Sequence, residues 1–389
     1  MDTKQLDKHY IMNTYGRYDV ALKSGKGCVA FDEDNKRYLD VSSGIGVNCL
    51  GYCDDGWVKA VTAQLNTIQH MSNYFYCEQS SKLAGKLCDK THFTKACFGN
   101  SGAEANECAI KIARKYSFDK YGEGRNEIIT LKDSFHGRTV TTLSATGQDN
   151  FHTYFFPFTE GFKYSEANID SVKSLVSEKT CAVLMECVQG EGGVNIMDKD
   201  FVQALRKLCD EKDLVLIVDE VQTGIGRTGK LFCYENFEIE PDLITCAKGL
   251  GGGLPIGLCL CNKKLEGVMQ PSTHGSTFGA NPVVCAGANY VIDTIANDSF
   301  LEEVTKKGEY LRNKLEKLDG VKSVRGLGLM TGIELVKDNA HDIAVKCVEN
   351  GLLIITAKNL LRMLPPLNIS YDEIDEAVEI LNKTITEDK

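Results

Sequence analysis

Five short, nearly unbroken apolar runs punctuate the middle of the chain: Ala96-Cys97-Phe98, Glu127–Leu131, Ala182–Met185, Leu214–Val218 and Leu243–Ala247. None alternates apolar with polar, so each predicts a strand buried on both faces. Helical spacing appears between them, in Ala103–Tyr116 and Phe201–Glu211. Strands of this kind alternating with helices predict an α/β fold with a mostly parallel central sheet covered on both sides.

The ends read differently. Val29-Ala30-Phe31 and Arg37-Tyr38-Leu39 flank the turn-forming Asp32-Glu33-Asp34-Asn35, which predicts a meander over Gly27–Val41. Beyond residue 300 the pattern is mixed: a helix near Leu301–Leu318, strand-like pieces at Met330–Val336 and Leu352–Ile355, and a last helix from Tyr371. Neither end carries enough apolar residues for its own core. At 389 residues the chain also exceeds what one core usually organises. The expected division is residues 1–50 and 286–389 joined in a smaller α+β domain, beside a large α/β domain at 51–285. No internal repeat or low-complexity tract interrupts the pattern.

Charge and cysteine content narrow the class. A formal net charge of −10 suits a phosphate backbone poorly, so nucleic acid is not an expected partner. No stretch approaches the roughly 20 apolar residues of a membrane span, and Met1–Gln5 does not open a signal peptide, so the expectation is a cytoplasmic protein without membrane partners. The 16 cysteines form no Cys-x-x-Cys pair, and several lie inside apolar runs. They read as free thiols acting as small hydrophobes in a reducing compartment, and no metal is expected.

Several polar constellations stand at the ends of the apolar runs. Leu214–Val218 stops abruptly at Asp219-Glu220, and ligands of open α/β sheets bind beyond the carboxyl ends of the strands. Helix capping is the other reading of that acid. Leu243–Ala247 runs into Lys248, followed by four glycines in Gly249–Gly253. A lysine in a site of low dielectric is disfavoured as a cation and becomes an amine nucleophile. A phosphate loop would need its lysine after the glycines, so the order excludes that reading. Asn100-Ser101-Gly102-Ala103-Glu104-Ala105-Asn106 sits between a strand and a helix, where free N–H groups and the dipole favour an anion; a plain cap would look the same. In Ser134-Phe135-His136-Gly137-Arg138 the arginine fork suits a carboxylate and the aromatic can stack on a planar group. His136 reads as a structural hydrogen-bonding residue. His274–Pro282 is a polar loop whose hydroxyls suit a phosphate or a turn.

In type and order these segments, with Asp219–Gly224 and Gly275–Pro282, resemble the class III (ω-amino acid) aminotransferases of the fold-type I enzymes that use pyridoxal 5'-phosphate (PLP). The resemblance runs from about Tyr10 to the C-terminus. It implies that Lys248 is the Schiff-base lysine and proton shuttle, and that Asp219 pairs with the pyridine nitrogen. Gln222 would meet the ring hydroxyl, Val221 and Phe135 would cover the two ring faces, and Glu220 accompanies the cofactor segment without a defined role. Ser101, Gly102 and Ala103 would hold the phosphate, joined by Thr277 from a neighbouring subunit, which implies a homodimer with shared sites. Arg138 and Arg362 would bind carboxylates of small amino-acid and 2-oxo-acid substrates, with Glu191 masking Arg362 when the other substrate is bound; a fixed structural ion pair is the alternative.

The run Asn13–Tyr18, which includes Tyr15, and the glycine at position 44 further resemble family members that act on an N-acylated donor. Gly44 stands where related sequences carry tyrosine, leaving volume for the acyl group, and Ser276 matches a substrate contact. The implied reaction transfers the δ-amino group of N2-acetylornithine to 2-oxoglutarate. Succinylated relatives of that donor, ornithine and 4-aminobutyrate are the alternatives within the family, and a non-catalytic PLP-binding module is the alternative outside it. One departure is Tyr52-Cys53-Asp54-Asp55, where the family carries His-x-His-Pro; the expectation there is a surface segment before a helix, with Asp replacing Pro as its start.

Overall fold

A computed structural model describes residues 1–388 of the chain. Its central sheet has seven strands in the order Lys95–Gly99, Gly257–Cys261, Leu243–Cys246, Val215–Asp219, Thr180–Met185, Glu127–Leu131, Phe162–Ser165. The last five run parallel to one another. All residues of Val215–Asp219 and Thr180–Met185 are buried, as expected where helices cover both faces. The five predicted runs are all strands, but Lys95–Gly99, expected to be buried on both faces, is only half-buried because it lies at the edge of the sheet.

Two strands of this sheet escaped the sequence pattern. Phe162–Ser165 is an edge strand with mixed burial. Gly257–Cys261 lies antiparallel to both of its neighbours; it follows so closely on the glycines after Lys248 that the run reads as one loop. The helices Gly102–Tyr121 and Lys199–Lys212 extend the predicted ones. Helices Asp55–Leu65 and Pro282–Ile295 pack together through small residues: a Cβ on Gly287 would lie 2.8 Å from the Trp57 indole nitrogen. The first of them begins as expected, with the Asp54 side chain accepting from Trp57 N–H at 3.0 Å.

The two chain ends meet in one sheet. Leu22–Lys26, Val29–Asp32 and Arg37–Asp40 form the antiparallel meander, and Leu352–Leu353 pairs parallel to Arg37–Asp40. The predicted piece Leu352–Ile355 is therefore divided: Ile355–Ala357 belongs to a second sheet with Val321–Leu327, Met330–Leu335 and Leu360–Met363. Helices Asp298–Leu315, Ala340–Glu349 and Tyr371–Glu387 pack on these strands. All sixteen cysteines are free and thirteen are buried, in keeping with their apolar contexts. Among the described residues no helix is long and apolar enough to cross a membrane.

Gly257 ties the antiparallel strand to the start of the Gly102–Tyr121 helix, because a Cβ there would lie 2.2 Å from the Ser101 carbonyl oxygen. Backbone on both sides leaves little room to relax. Gly257→Ala is expected to cost about 1–3 kcal/mol, read as a shift of the urea midpoint. Gly267→Ala, with nothing within 4 Å, should stay within about 0.5 kcal/mol of the parent.

Candidate active site

Past the carboxyl ends of the parallel strands lies a cavity of about 490 Å³, lined by residues from six separate stretches of the chain. Asp219 ends the strand Val215–Asp219, and Lys248 follows Leu243–Cys246. Phe135, His136 and Arg138 come from the loop after Glu127–Leu131, Glu186 and Glu191 from the segment after Thr180–Met185, and Ser101–Ala103 from the start of the Gly102–Tyr121 helix. Val47 enters from the N-terminal part of the chain.

Asp219 is 4% exposed yet well provided with donors. Its Oδ2 accepts from Asn106 Nδ2 at 2.8 Å and from His136 Nδ1 at 2.9 Å, and its Oδ1 accepts from Val221 N–H at 3.0 Å. An ionised carboxylate only accepts, so the proton of His136 sits on Nδ1; Nε2 is buried without a partner. Asn106 is fixed in turn by the Thr245 hydroxyl at 2.8 Å and by the His136 carbonyl at 2.8 Å. His136 thus has the structural hydrogen bond expected of it. Asn106 was not singled out from the sequence; its place one turn into a helix that begins at the cavity was the available signal.

Lys248 lies in the cavity at φ 41°, in the left-handed region that a non-glycine residue seldom adopts. Burial lowers its pKa from the ordinary lysine value, against the pull of Glu191. Glu186, also missed by the sequence reading, is raised well above the ordinary carboxylate range by burial and by Asp219 beside it. Its Oε2 accepts the Phe135 N–H at 3.0 Å, so it fixes the aromatic loop.

Arg362 is 2% exposed. Its Nη1 donates to Glu191 Oε1 at 2.9 Å, to the Gly190 carbonyl at 2.8 Å and to Gln222 Oε1 at 3.2 Å. Burial works against the Glu191 charge, but Arg362 and Lys248 nearby, together with hydrogen bonds from Arg362 and Gln222, outweigh it and leave the carboxyl below its ordinary range. The Arg138 guanidinium lies 4.0 Å from the Phe151 ring centroid and 5.4 Å from that of Phe135. Gly102 is required where it stands: a Cβ would be 2.8 Å from Val221 Cγ1. The backbone can therefore lie against Val221 at the point where the helix presents its free N–H groups.

Five expected residues lie outside this lining: Arg362, which meets it through Glu191 and Gln222, and Glu220, Thr277, Tyr15 and Ser276. Glu220 is buried behind the cavity, not in it, where its carboxylate accepts from the Thr223 hydroxyl at 2.6 Å and from Tyr234 N–H at 2.8 Å. Consecutive residues leaving a strand point to opposite sides, which sends Asp219 in and Glu220 out. Thr277 lines a separate open cavity, and Tyr15 is 72% exposed near the N-terminus. Ser276 shares that second cavity and reaches the first only through Asn100, whose Nδ2 donates to Ser276 Oγ at 3.0 Å. Gly44 stands at φ 62°, three residues before Val47, and a Cβ on it would find its nearest neighbour at 3.5 Å.

Burial pushes Glu220 up to about 7 from an ordinary 4.5. Because the folded-state value is the higher one, its contribution to stability is present below the ordinary value and is lost as pH rises through about 7. Glu220→Gln keeps a carbonyl for Tyr234 and an amide for Thr223 without the charge. Thermal unfolding from about pH 5 to pH 8 should show a flatter profile and a higher midpoint at the alkaline end in the variant.

The aminotransferase class-III family model matches residues 10–385. Over 387 residues the chain is 51% identical to an acetylornithine aminotransferase of Haemophilus ducreyi, covering 99% of this chain and 98% of that one. It is 44% identical to an acetylornithine aminotransferase of Methanocaldococcus jannaschii, covering 99% and 98%. Among solved structures, the ornithine aminotransferase of Toxoplasma gondii superposes with a TM-score of 0.94 at 28% identity, covering 100% and 96%. The N-acetylornithine aminotransferase of Stenotrophomonas maltophilia does so with a TM-score of 0.85 at 32% identity, covering 98% of each. A family match over residues 10–385, with relatives 51% and 44% identical over almost the full chain, makes this chain a member of the class-III aminotransferase family.

Proposed function

We propose that this chain is a cytoplasmic, homodimeric PLP-dependent aminotransferase that moves the δ-amino group of N2-acetylornithine to 2-oxoglutarate, giving N-acetylglutamate 5-semialdehyde and glutamate, a step of arginine synthesis. The observation that carries the chemistry is one cavity holding both a half-buried lysine and a carboxylate fixed by three donors. Two relatives named acetylornithine aminotransferase, at 51% and 44% identity over almost the full chain, favour that donor.

The residues present fit the cofactor. Free N–H groups at Gly102 and Ala103 suit its phosphate, Phe135 and Val221 flank the cavity as ring-covering groups, and Gln222 has an amide for the ring hydroxyl. Lys248 would hold the cofactor covalently through its amine. Bound there, PLP supplies an electron sink for the carbanion left when the amino-bearing carbon loses its proton. Asp219, an acceptor with three donors already in place, would hold a proton on the ring nitrogen. Lys248, once its amine is free, would take the proton from the amino-bearing carbon and return it on the far side of the same nitrogen; burial, which lowers its pKa, disfavours its cationic form and suits it to act as a base.

Arg138 binds a substrate carboxylate. Arg362 receives the second carboxylate of glutamate, and Glu191 neutralises it while the acylated donor is bound. The shared site follows from Thr277, which lies away from its own chain's cavity and on this reading serves a neighbour's. The division into a small domain (1–50 with 286–389) and a large one (51–285) belongs to the same reading, and the strand pairing of Leu352–Leu353 with Arg37–Asp40 supports it.

Two experiments test the reading. Mixing the PLP-loaded protein with N2-acetylornithine should bleach the cofactor's visible absorbance, and 2-oxoglutarate should restore it. Bleaching by ornithine or 4-aminobutyrate and not by the acetylated donor would keep the family and overturn the substrate. Glu191→Gln leaves Arg362 unmasked, so kcat/KM for acetylornithine should fall on the order of tenfold or more while the glutamate half-reaction keeps its rate. Equal losses for both substrates would mean that the pair is a fixed structural one.

A further inference from the structure

Among the described residues, one group of His and Cys side chains is arranged as metal ligands: Cys97, Cys108 and His274, whose ligating atoms all lie within 4.8 Å of one another. We propose that Cys97, Cys108 and His274 form a binding site for one zinc-class divalent ion, outside the active-site cavity.

The elements that bring the donors together are rigid. Cys97 lies in the strand Lys95–Gly99 and faces the Gly102–Tyr121 helix, which supplies Cys108. His274 comes from the loop that also carries Ser276 and Thr277. Cys259 is the cross-strand partner of Cys97, so a third thiol backs the first two from the fully buried side. The opposite side opens on a cavity of about 820 Å³ that Cys97 and His274 both line, which gives an ion an entry path and leaves a fourth position for water.

The chemistry selects the ion. Two sulfurs and one imidazole are soft to borderline donors, and three protein ligands with one open position form a familiar zinc set. Tetrahedral bonds of about 2.3 Å to sulfur place two ligating sulfurs roughly 3.8 Å apart. Atoms already within 4.8 Å need shift by only about 1 Å or less to reach this. Binding releases the two thiol protons to solvent, and the two thiolates neutralise the dication, so the occupied site carries no net charge beside Lys111.

Lys111 is the competitor. Its Nζ donates to His274 Nδ1 at 3.1 Å and to the Thr273 carbonyl at 2.8 Å. Ligation breaks the first bond whichever ring nitrogen takes the ion. The metal either occupies the Nδ1 lone pair or, on Nε2, leaves Nδ1 with the ring proton, which has nothing to give a lysine cation. The Thr273 carbonyl remains to Lys111. The occupied site would tie the loop to the sheet two residues before Ser276, whose hydroxyl meets Asn100 of the active site.

The binding claim is independent of the aminotransferase reading, and its test needs no turnover. PLP-loaded protein, stripped with a chelator under a reductant, is dialysed against zinc and its metal counted; cobalt substitution then reports ligand type through bands in the red, away from the cofactor's absorbance. The expected result is one ion per chain with tetrahedral, thiolate-bearing cobalt spectra. His274→Gln, at a half-exposed loop position, and Cys97→Ser should each weaken binding at least about tenfold, whereas Lys111→Met should tighten it. The proposal is overturned if the parent protein retains no stoichiometric ion, or if retention is unchanged in His274→Gln. It is equally overturned if the thiols are lost in a form that a dithiol reductant restores and a chelator does not, since that pair would be a disulfide.

Discussion

A single carboxylate anchored at the end of a buried strand sets the terms for the rest of the molecule. Removing Asp219 from water would be costly without compensation. The compensation comes from three directions: the backbone N–H of Val221, the side chain of Asn106 on the helix opposite and the imidazole of His136 from the next loop. Each donor requires its own element to be in register. The Thr245 hydroxyl on the neighbouring strand holds Asn106, and the Thr146 hydroxyl accepts the His136 N–H at 3.0 Å. The sheet, one helix and two loops are thereby tied to one ionised group, and the cavity takes its shape from the same ties.

The same logic explains what was and was not legible in the chain. Asp219, Lys248 and Ser101–Ala103 could be read because each ends an apolar run or opens a helix, so local pattern located them at the sheet's carboxyl edge; Arg138 was read from its cluster with Phe135 and His136 in the loop after such a run. Glu220 could not be separated from Asp219 by type, since two adjacent acids after a strand look alike until the pleat sends them to opposite sides. Asn106 and Glu186 were missed because their significance is tertiary: one reaches a carboxylate 113 positions away and the other a backbone amide 51 positions away. The parallel strands were all legible save the edge strand Phe162–Ser165, whose residues are only partly buried. Gly257–Cys261 was obscured by the glycines before it, and its own first glycine serves the close approach to Ser101 and not a flexible loop. The division of Leu352–Ile355 between two sheets has no local signature at all.

Arg362 and Glu191 pose the opposite problem to Asp219. A buried arginine with a single strong partner is poorly balanced: Nε of Arg362 has no acceptor, and its Nη1 serves three. The Glu191 side chain retains 30% exposure where Arg362 retains 2%, so the acid is the member free to swing away. A pair built from one fixed cation and one movable anion can exchange the anion for a substrate carboxylate at small cost. A pair buried on both sides could not, because either charge left alone would carry the full desolvation penalty.

Charge balance across the cavity follows from these unequal environments. Two carboxyls, Glu186 and Asp219, share one low-dielectric space, and both cannot hold a negative charge cheaply. Asp219 has three donors, whereas Glu186 has one and is driven toward its neutral form by burial and by its neighbour. Burial drives Lys248 the same way, toward its neutral amine. With Glu191 paired to Arg362, Asp219 is the cavity carboxylate best provided with donors, and a protonated ring nitrogen would be its natural complement. A cationic ring nitrogen held against Asp219 would draw electron density toward that wall, which is the direction in which a carbanion formed beside Lys248 would have to be drained.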